Sequence, residues 1–498
     1  MLQEKEMPIK QDDEVERQAA PRRWQAFALL MLPALLIPLN SYMVQIALPF
    51  MQTSLHADFS EAQFLLSSYS LGLAAALILG GRLGDIYGRK RMLVVGVLGF
   101  TITAAVGGVL SHAGALTVTR IIQGMAAAIV QPQVLSIMRN SFHPKERGLA
   151  FGIYGAVIGV GFILGLTLGG LLIDWNWFGL GWRTVFFVNV PIGMLVLLLL
   201  PIVPEQEGNE KRQRHTVDHL LTKPLRAPVD WFGGLLLLSG LALLLYQLTE
   251  GQHRGWSGAT WGSLATAVLI LAAFTLKQLS RKKQGKSFLI DFDIFRSRLF
   301  STGIAAVMLI YLSMFSFFVL LNYYVQAGLH YTIRSSSFVF LPLGGGFFLA
   351  SLLTSRFTRK RRAILQIGTV MMGLCSVLLI QALHADAIHL FHNRHVLILF
   401  GYGCGLGMAT TPLANLVLGT VPQQDAGTGA GLFSTSMYFA SALGVAFSGM
   451  MFSHWLGHTL IEAEPADYVR AFSISISASG GIALAGGILL CFLREEGA

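Results

Sequence analysis

Charge is what this chain is short of. Asp, Glu, Lys and Arg make up 12% of its 498 residues, whereas hydrophobic residues make up 54%. A soluble domain carries about 25% charged residues, so water cannot be the solvent for most of this surface. The mean hydropathy of +0.61 points the same way. Cysteine is scarce too. Cys375, Cys404 and Cys491 each lie inside an apolar run, which excludes a disulfide framework or a zinc site by spacing. A cleavable signal peptide is not expected, because residues 1–23 are polar and charged and the first apolar run is too long for a signal core. There is no H-E-x-x-H, no G-x-S-x-G and no pair of acids within an apolar run, so nothing marks a membrane enzyme. No cofactor is expected. A sensor would normally carry an appended soluble domain, and no polar segment is long enough for one.

What is present is a series of long apolar runs. A helix needs about 20 apolar residues to cross the hydrocarbon core. Fourteen runs qualify: 24–48, 62–81, 92–110, 115–138, 149–173, 184–203, 231–248, 261–279, 300–324, 338–353, 363–383, 396–418, 427–452 and 469–493. The tenth is the shortest and carries "GGG". The basic residues support this count. With the N-terminus in the cytoplasm, 30 of the 36 Lys and Arg fall in cytoplasmic segments. Arg183, Arg254, Arg334, Arg394 and Arg470 fall outside, and Arg120 lies within helix 4. This is a strong positive-inside bias. It also accounts for the net charge of +10 without nucleic acid, since basic loops face anionic headgroups.

The longest polar segments give the domain plan. Residues 1–23 form a cytoplasmic tail and 24–203 a first bundle of six helices. A cytoplasmic linker, 204–229, leads to an accessory pair of helices at 230–279. A second linker, 280–299, leads to a second six-helix bundle at 300–493 and a tail at 494–498.

The loop between helices 2 and 3 reads "GRLGDIYGRKRM". On physics alone it is a basic loop that sets topology, with Gly81 and Gly88 allowing the turn and Asp85 beside Arg89, Lys90 and Arg91. The string also resembles motif A of the major facilitator superfamily at every defining position. A weaker copy, "SRFTRKRR", begins at Ser355 and has Arg359 where the acid would be. Helix 4, "LTVTRIIQGMAAA", is similar to motif B through Arg120, Gln123 and Gly124. Helix 5 is similar to motif C of the fourteen-helix drug–proton antiporter branch through Gly152, Gly161, Gly165, Gly169 and Gly170. "WRTVFFVNVPIG" (182–193) and "VPQQDAGTGAG" (421–431) fit the same branch, and the resemblance covers nearly the whole chain.

The resemblance implies an all-α integral membrane protein of major-facilitator fold, with two six-helix bundles plus two accessory helices. It implies a secondary transporter that exports small amphipathic organic compounds by alternating access, with protons as coupling partner and motif A as a cytoplasmic gate. Its partners would be a small-molecule substrate and the lipid bilayer, and the site would be the cytoplasmic (inner) membrane. A dedicated metabolite, vitamin or siderophore carrier remains an alternative on the same scaffold. The chain departs from the branch at two places. Leu166 replaces the usual proline of motif C, and Asn40 stands where helix 1 usually has an acid, with Gln45 at the second polar position.

No acid among the 26 lies in the middle third of a run. Arg120 is the one basic residue deep in a span, so it must face the interior and find partners. Polar residues within spans are candidates for a substrate cavity: Asn40, Gln45, Tyr69, Gln131, Gln133, Asn322, Tyr324, Gln326, Asn415 and Tyr438. The glycines of helix 5 and of "GYGCGLG" (401–407) read as helix-packing positions. His389, His392 and His395 are spaced to chelate a metal on one helical face, but a polar external loop is the simpler reading, and no metal site is expected.

Overall fold

In lipid, backbone polar groups must be satisfied within the segment that carries them, which for an all-apolar span means a helix. The computed structural model describes residues 7–142, 144–202, 230–253, 257–286, 288–354, 361–385, 393–419, 421, 426–457 and 463–492, and among these every regular element is helical. Fourteen helices are long and apolar enough to cross a membrane. They are α1 (Met7–Ser54), α2 (Phe59–Tyr87), α3 (Arg89–Val109), α4 (Ala113–Ser141), α5 (Pro144–Trp175) and α6 (Gly181–Ile202). An accessory hairpin follows, α7 (Trp231–His253) and α8 (Gly258–Lys283). The rest are α9 (Arg298–Gly328), α10 (Ile333–Thr354), α11 (Arg361–Ala385), α12 (Asn393–Leu418), α13 (Ala426–Leu456) and α14 (Pro465–Leu489). With an even number of crossings, the start of α1 and the end of α14 lie at the same face, here called the basic face.

The pairing of helices repeats. Within the first bundle α2 packs on α4, α1 on α5, α3 on α4 and α3 on α6. Within the second, α10 packs on α12, α9 on α13, α11 on α12 and α11 on α14. Adding eight to each number of the first set gives the second, as expected for two related halves. The two halves meet through α2 with α13 and α5 with α10, which the same relation exchanges. Close approach uses glycine in both halves. A Cβ at Gly72, Gly80 or Gly124 would stand 2.1–2.2 Å from a backbone oxygen across the α2–α4 contact. One at Gly346 or Gly403 would do the same, at 2.1 and 2.0 Å, across α10–α12. The "GYGCGLG" segment is therefore a packing face.

Outward faces suit lipid. On α3, Val94, Val95, Leu98, Ile102 and Val106 are exposed while Leu93, Val97, Phe100 and Ala104 are buried. The hairpin sits outside the bundles: α7 lies against α2 and α13, while α8 packs on α7.

Several helices run beyond the expected bounds, α1 from Met7 and α2 to Tyr87 among them, and three spans differ for a local reason. α10 begins at Ile333 rather than 338, because Ser336 and Ser337 turn their hydroxyls back onto the carbonyls of Thr332 and Ile333, both at 2.9 Å. Intrahelical bonding of this kind lets serines sit buried in a span. α6 is interrupted at Val188, one turn before Pro191, whose missing N–H cannot bond back to that turn. α12 breaks at Thr411–Pro412 and resumes at Leu413 for the same reason. The linker 204–229, residues 355–360 of the second motif A copy, residues 422–425, and His389 and His392 lie outside the described residues.

Candidate functional site

Between the bundles lies a cavity of about 130 Å³. Its wall is aromatic: Tyr42, Tyr69, Tyr154, Phe162, Tyr311, Phe315, Phe318, Phe347 and Tyr438. Met314 and Met437 supply flexible thioethers, which adapt to ligands of different shape. Its polar groups are hydroxyls and one amide, including Ser41, Ser70, Thr410, Ser441 and Gln131, and among the described residues no Asp, Glu, Lys or Arg lines it. Tyr438 of α13 donates to Gln131 Oε1 of α4 at 2.8 Å, a bridge across the two halves.

Of the polar residues singled out in the sequence, Tyr69, Gln131 and Tyr438 are on this wall. The others are elsewhere. Asn322 Nδ2 donates to the Gln45 carbonyl at 2.8 Å, and Gln326 Nε2 donates to the Ile46 carbonyl at 3.0 Å and to Asn322 Oδ1 at 2.6 Å. These bonds tie α9 to α1 toward the face opposite the basic one. Tyr323 adds a bond to Gln52 Oε1 at 3.1 Å there. Tyr324 stacks on Phe472, with centroids 4.5 Å apart. Gln133 donates to the Gly80 carbonyl at 2.8 Å, inside the α2–α4 contact. Asn415 is exposed after the break in α12. Beyond Tyr69 and Tyr438, the aromatic wall was the part that sequence reasoning missed. Its signal is the run of Tyr311, Phe315 and Phe318 at helical spacing on α9, which reads equally well as ordinary core.

Arg120 is fully buried and lies off the cavity. Its Nη1 donates to Asn40 Oδ1 of α1 and to Gln123 Oε1, the latter at 2.8 Å. The Tyr69 ring covers the guanidinium, 4.4 Å from ring centroid to Cζ. Tyr69 is thus the partition between the buried cation and the cavity, with its hydroxyl donating to the Ile37 carbonyl at 3.3 Å. Gly124 permits this packing, since a Cβ there would meet the Tyr69 carbonyl oxygen at 2.1 Å.

The motif C glycines present two contacts. Cβ atoms at Gly161, Gly165 and Gly169 would strike Pro38, Tyr42 and Ile46 of α1 at 2.6–2.7 Å. One at Gly170 would strike Ser337 Oγ of α10 at 1.7 Å. Gly152 has nothing within 4 Å. Leu166, at the departure from the motif, is buried between these contacts.

At the basic face, Gly88 joins α2 to α3 with φ of +95°, a conformation that glycine alone adopts cheaply. Asp85 lies 3.4 Å from Arg89 and is more than half exposed. Lys90 reaches the Pro201 carbonyl at 3.4 Å, and Arg91 is exposed. Gly81 has only Pro132 within 4 Å of a would-be Cβ. Arg82, inside the same string, donates to the Phe288 carbonyl at 2.5 Å, which links α2 to the segment before α9. Close by, Asp230 is held by Lys277 at 2.7 Å, Arg281 at 3.5 Å, Gln278 Nε2 at 2.8 Å and the Gly233 N–H at 3.0 Å. Burial raises the Asp230 carboxyl, but those hydrogen bonds outweigh it and hold the group below the ordinary carboxylate value.

The Major Facilitator Superfamily model matches residues 30–445. The chain belongs to the major facilitator superfamily. It is 31% identical over 445 residues to the probable actinorhodin transporter of Streptomyces coelicolor, covering 88% of this chain and 73% of that one. It is 31% identical over 487 residues to the puromycin resistance protein pur8 of Streptomyces alboniger, covering 96% and 92%. It is 30% identical over 443 residues to the drug efflux pump JefA of Mycobacterium tuberculosis, covering 87% and 82%. Among solved structures, the inward-open xylose transporter XylE from E. coli superposes with a TM-score of 0.63 at 15% identity, covering 95% and 97%. That likeness carries the fold. This superfamily member is accordingly a multi-pass membrane protein and a secondary transporter of small molecules.

Proposed function

We propose that the chain exports small amphipathic organic compounds of the antibiotic or drug class, and that it favours neutral or anionic ones. The observation that carries this reading is the cavity: large aromatic surfaces, two methionines, a few hydroxyls and an amide, and no carboxylate. Aromatic and thioether walls bind apolar bodies of varied shape, and a permanent cation finds no counter-charge there. The three named relatives, called a transporter, a resistance protein and an efflux pump in their own organisms, support export of such compounds.

The rest of the reading follows from the same scaffold. The basic face is the cytoplasmic one, both termini are cytoplasmic, and the membrane is the inner one. Residues 24–203 and 300–493 are the rocking bundles, and 230–279 is an accessory hairpin. Gly81, Asp85, Gly88, Arg89, Lys90 and Arg91 gate the cytoplasmic side. Asn322, Gln326 and Tyr323 of α9 close the other side on α1. Proton coupling, where present, runs through a group other than a mid-span carboxylate, because Asn40 cannot titrate.

The test is transport by the full chain in proteoliposomes, with one dicationic, one neutral and one anionic amphipathic probe under an imposed pH gradient. Saturable movement of the neutral and anionic probes, at least tenfold above protein-free vesicles, is expected, with the dication near background. Strong pH-driven movement of the dication would overturn the reading.

A further inference from the structure

Among the described residues, no carboxylate pairs with Arg120. Its cation is fully buried, an arginine does not lose its proton in a protein, and none of the salt bridges among the described residues includes it. The two acceptors it reaches, Asn40 Oδ1 and Gln123 Oε1, both take their hydrogen bond from the same nitrogen, Nη1. Nε and Nη2 of the guanidinium remain without acceptors among the described residues. So do Asn40 Nδ2 and Gln123 Nε2, the donor ends of the same two amides. All three side chains are buried. The cluster is therefore a positive charge ringed by spare N–H groups, and every unmet group is a donor.

A buried cation that lacks a counter-charge is strongly unfavourable, and an unmet buried donor carries its own desolvation cost. Water would satisfy some donors but supply no net negative charge. An anion does both. We infer that Arg120, Asn40 and Gln123 form a binding site for a small inorganic anion of the halide or nitrate class, which serves as the counter-charge that a helix 1 carboxylate would otherwise provide. The size limit comes from Tyr69. Its ring separates the guanidinium from the cavity, so the carboxylate of an organic substrate in the cavity would have to displace that ring to reach Arg120. This site goes beyond the transport reading, and its test needs no transported compound.

The experiment measures the unfolding midpoint of the full purified chain in detergent, in gluconate buffer and with added chloride, bromide, nitrate or benzoate. Total ionic strength is held constant with gluconate to separate a general salt effect. The expected result is a saturable rise of several degrees with each small anion at millimolar concentration, and none with benzoate. Asn40→Asp places a carboxylate beside Arg120, so its midpoint should already be high in gluconate and should not respond. Asn40→Ala removes the amide donor without adding charge and should shift the half-saturating anion concentration upward about tenfold. An identical wild-type midpoint in gluconate and chloride would overturn the site. So would an undiminished anion response in Asn40→Asp, or stabilisation by benzoate alone.

Discussion

At the scale of single residues, the charges at the ends of the helices contrast with Arg120, because they are matched or open to water. Asp230 is the clearest matched case, with two cations, an amide and a backbone N–H on one carboxylate at the end of the hairpin. Lys277 and Arg281 keep part of their surface in solvent, so the network contributes only on the order of 2 kcal/mol. The sign of its pH dependence follows from the lowered folded-state value. The stabilisation is present above the unfolded carboxylate pKa of about 3.9 and is lost as pH falls through the folded value. Asp230→Asn should lower the unfolding midpoint at pH 7, and the gap to wild type should close in strong acid. An equal gap at both pH values would show that the charge is not what matters. Asp85 is the contrasting case. Its pair with Arg89 is exposed, and pairs of that kind are worth little to stability. Asp85→Asn should therefore leave the unfolding midpoint and expression within error of wild type while slowing transport severalfold.

At the scale of helices, glycine spacing decides which faces meet. Gly161, Gly165 and Gly169 let α5 lie on α1, and Gly170, one residue on, lets the same helix meet α10 of the other half. A bulky side chain at either face forces the helices apart, whereas Gly152 stands in open space. Gly165→Leu should abolish transport and lower the yield of folded protein. Gly170→Val should impair transport more than folding, because its contact is between halves that must move. Gly152→Ala should behave like wild type. Equal behaviour of the three variants would remove the packing role. These glycines were legible in the sequence through their resemblance to motif C, and the spacing of Gly161, Gly165 and Gly169 keeps those three on one helical face. The cavity was less legible. Polar residues in a span announce themselves, yet Asn322 and Gln326 spend their amides on backbone carbonyls of α1, and Gln133 on that of Gly80. The aromatic wall gives no such signal, because Tyr311 and Phe318 look in sequence like any core residues. Their shared cavity depends on how two bundles lean together.

At the scale of the molecule, the number of spans and the family were legible, since hydropathy and motif A are local properties of the chain. Helix ends were not, where Ser336 and Ser337 extend α10 or Pro191 and Pro412 interrupt α6 and α12. The proposed cytoplasmic placement of the basic face leads to a direct expectation. Reporter fusions at Gly208 and Gly285 should be cytoplasmic, and one at Gly255 should be external. A cytoplasmic signal at Gly255 would dissolve the α7–α8 hairpin.

Alternating access requires the two halves to separate at the face opposite the basic one during each cycle. Gly449 of α13 and Gln63 of α2 meet there across the halves, a Cβ at Gly449 lying 2.9 Å from Gln63 Cγ. Paired cysteines at these positions come within disulfide reach. The direct measurement is transport by the Gln63→Cys, Gly449→Cys chain in proteoliposomes, with Cys375, Cys404 and Cys491 replaced by alanine, before and after oxidation. Oxidation should reduce transport at least tenfold, and a reductant should restore it. Full transport by the quantitatively cross-linked protein would contradict that separation.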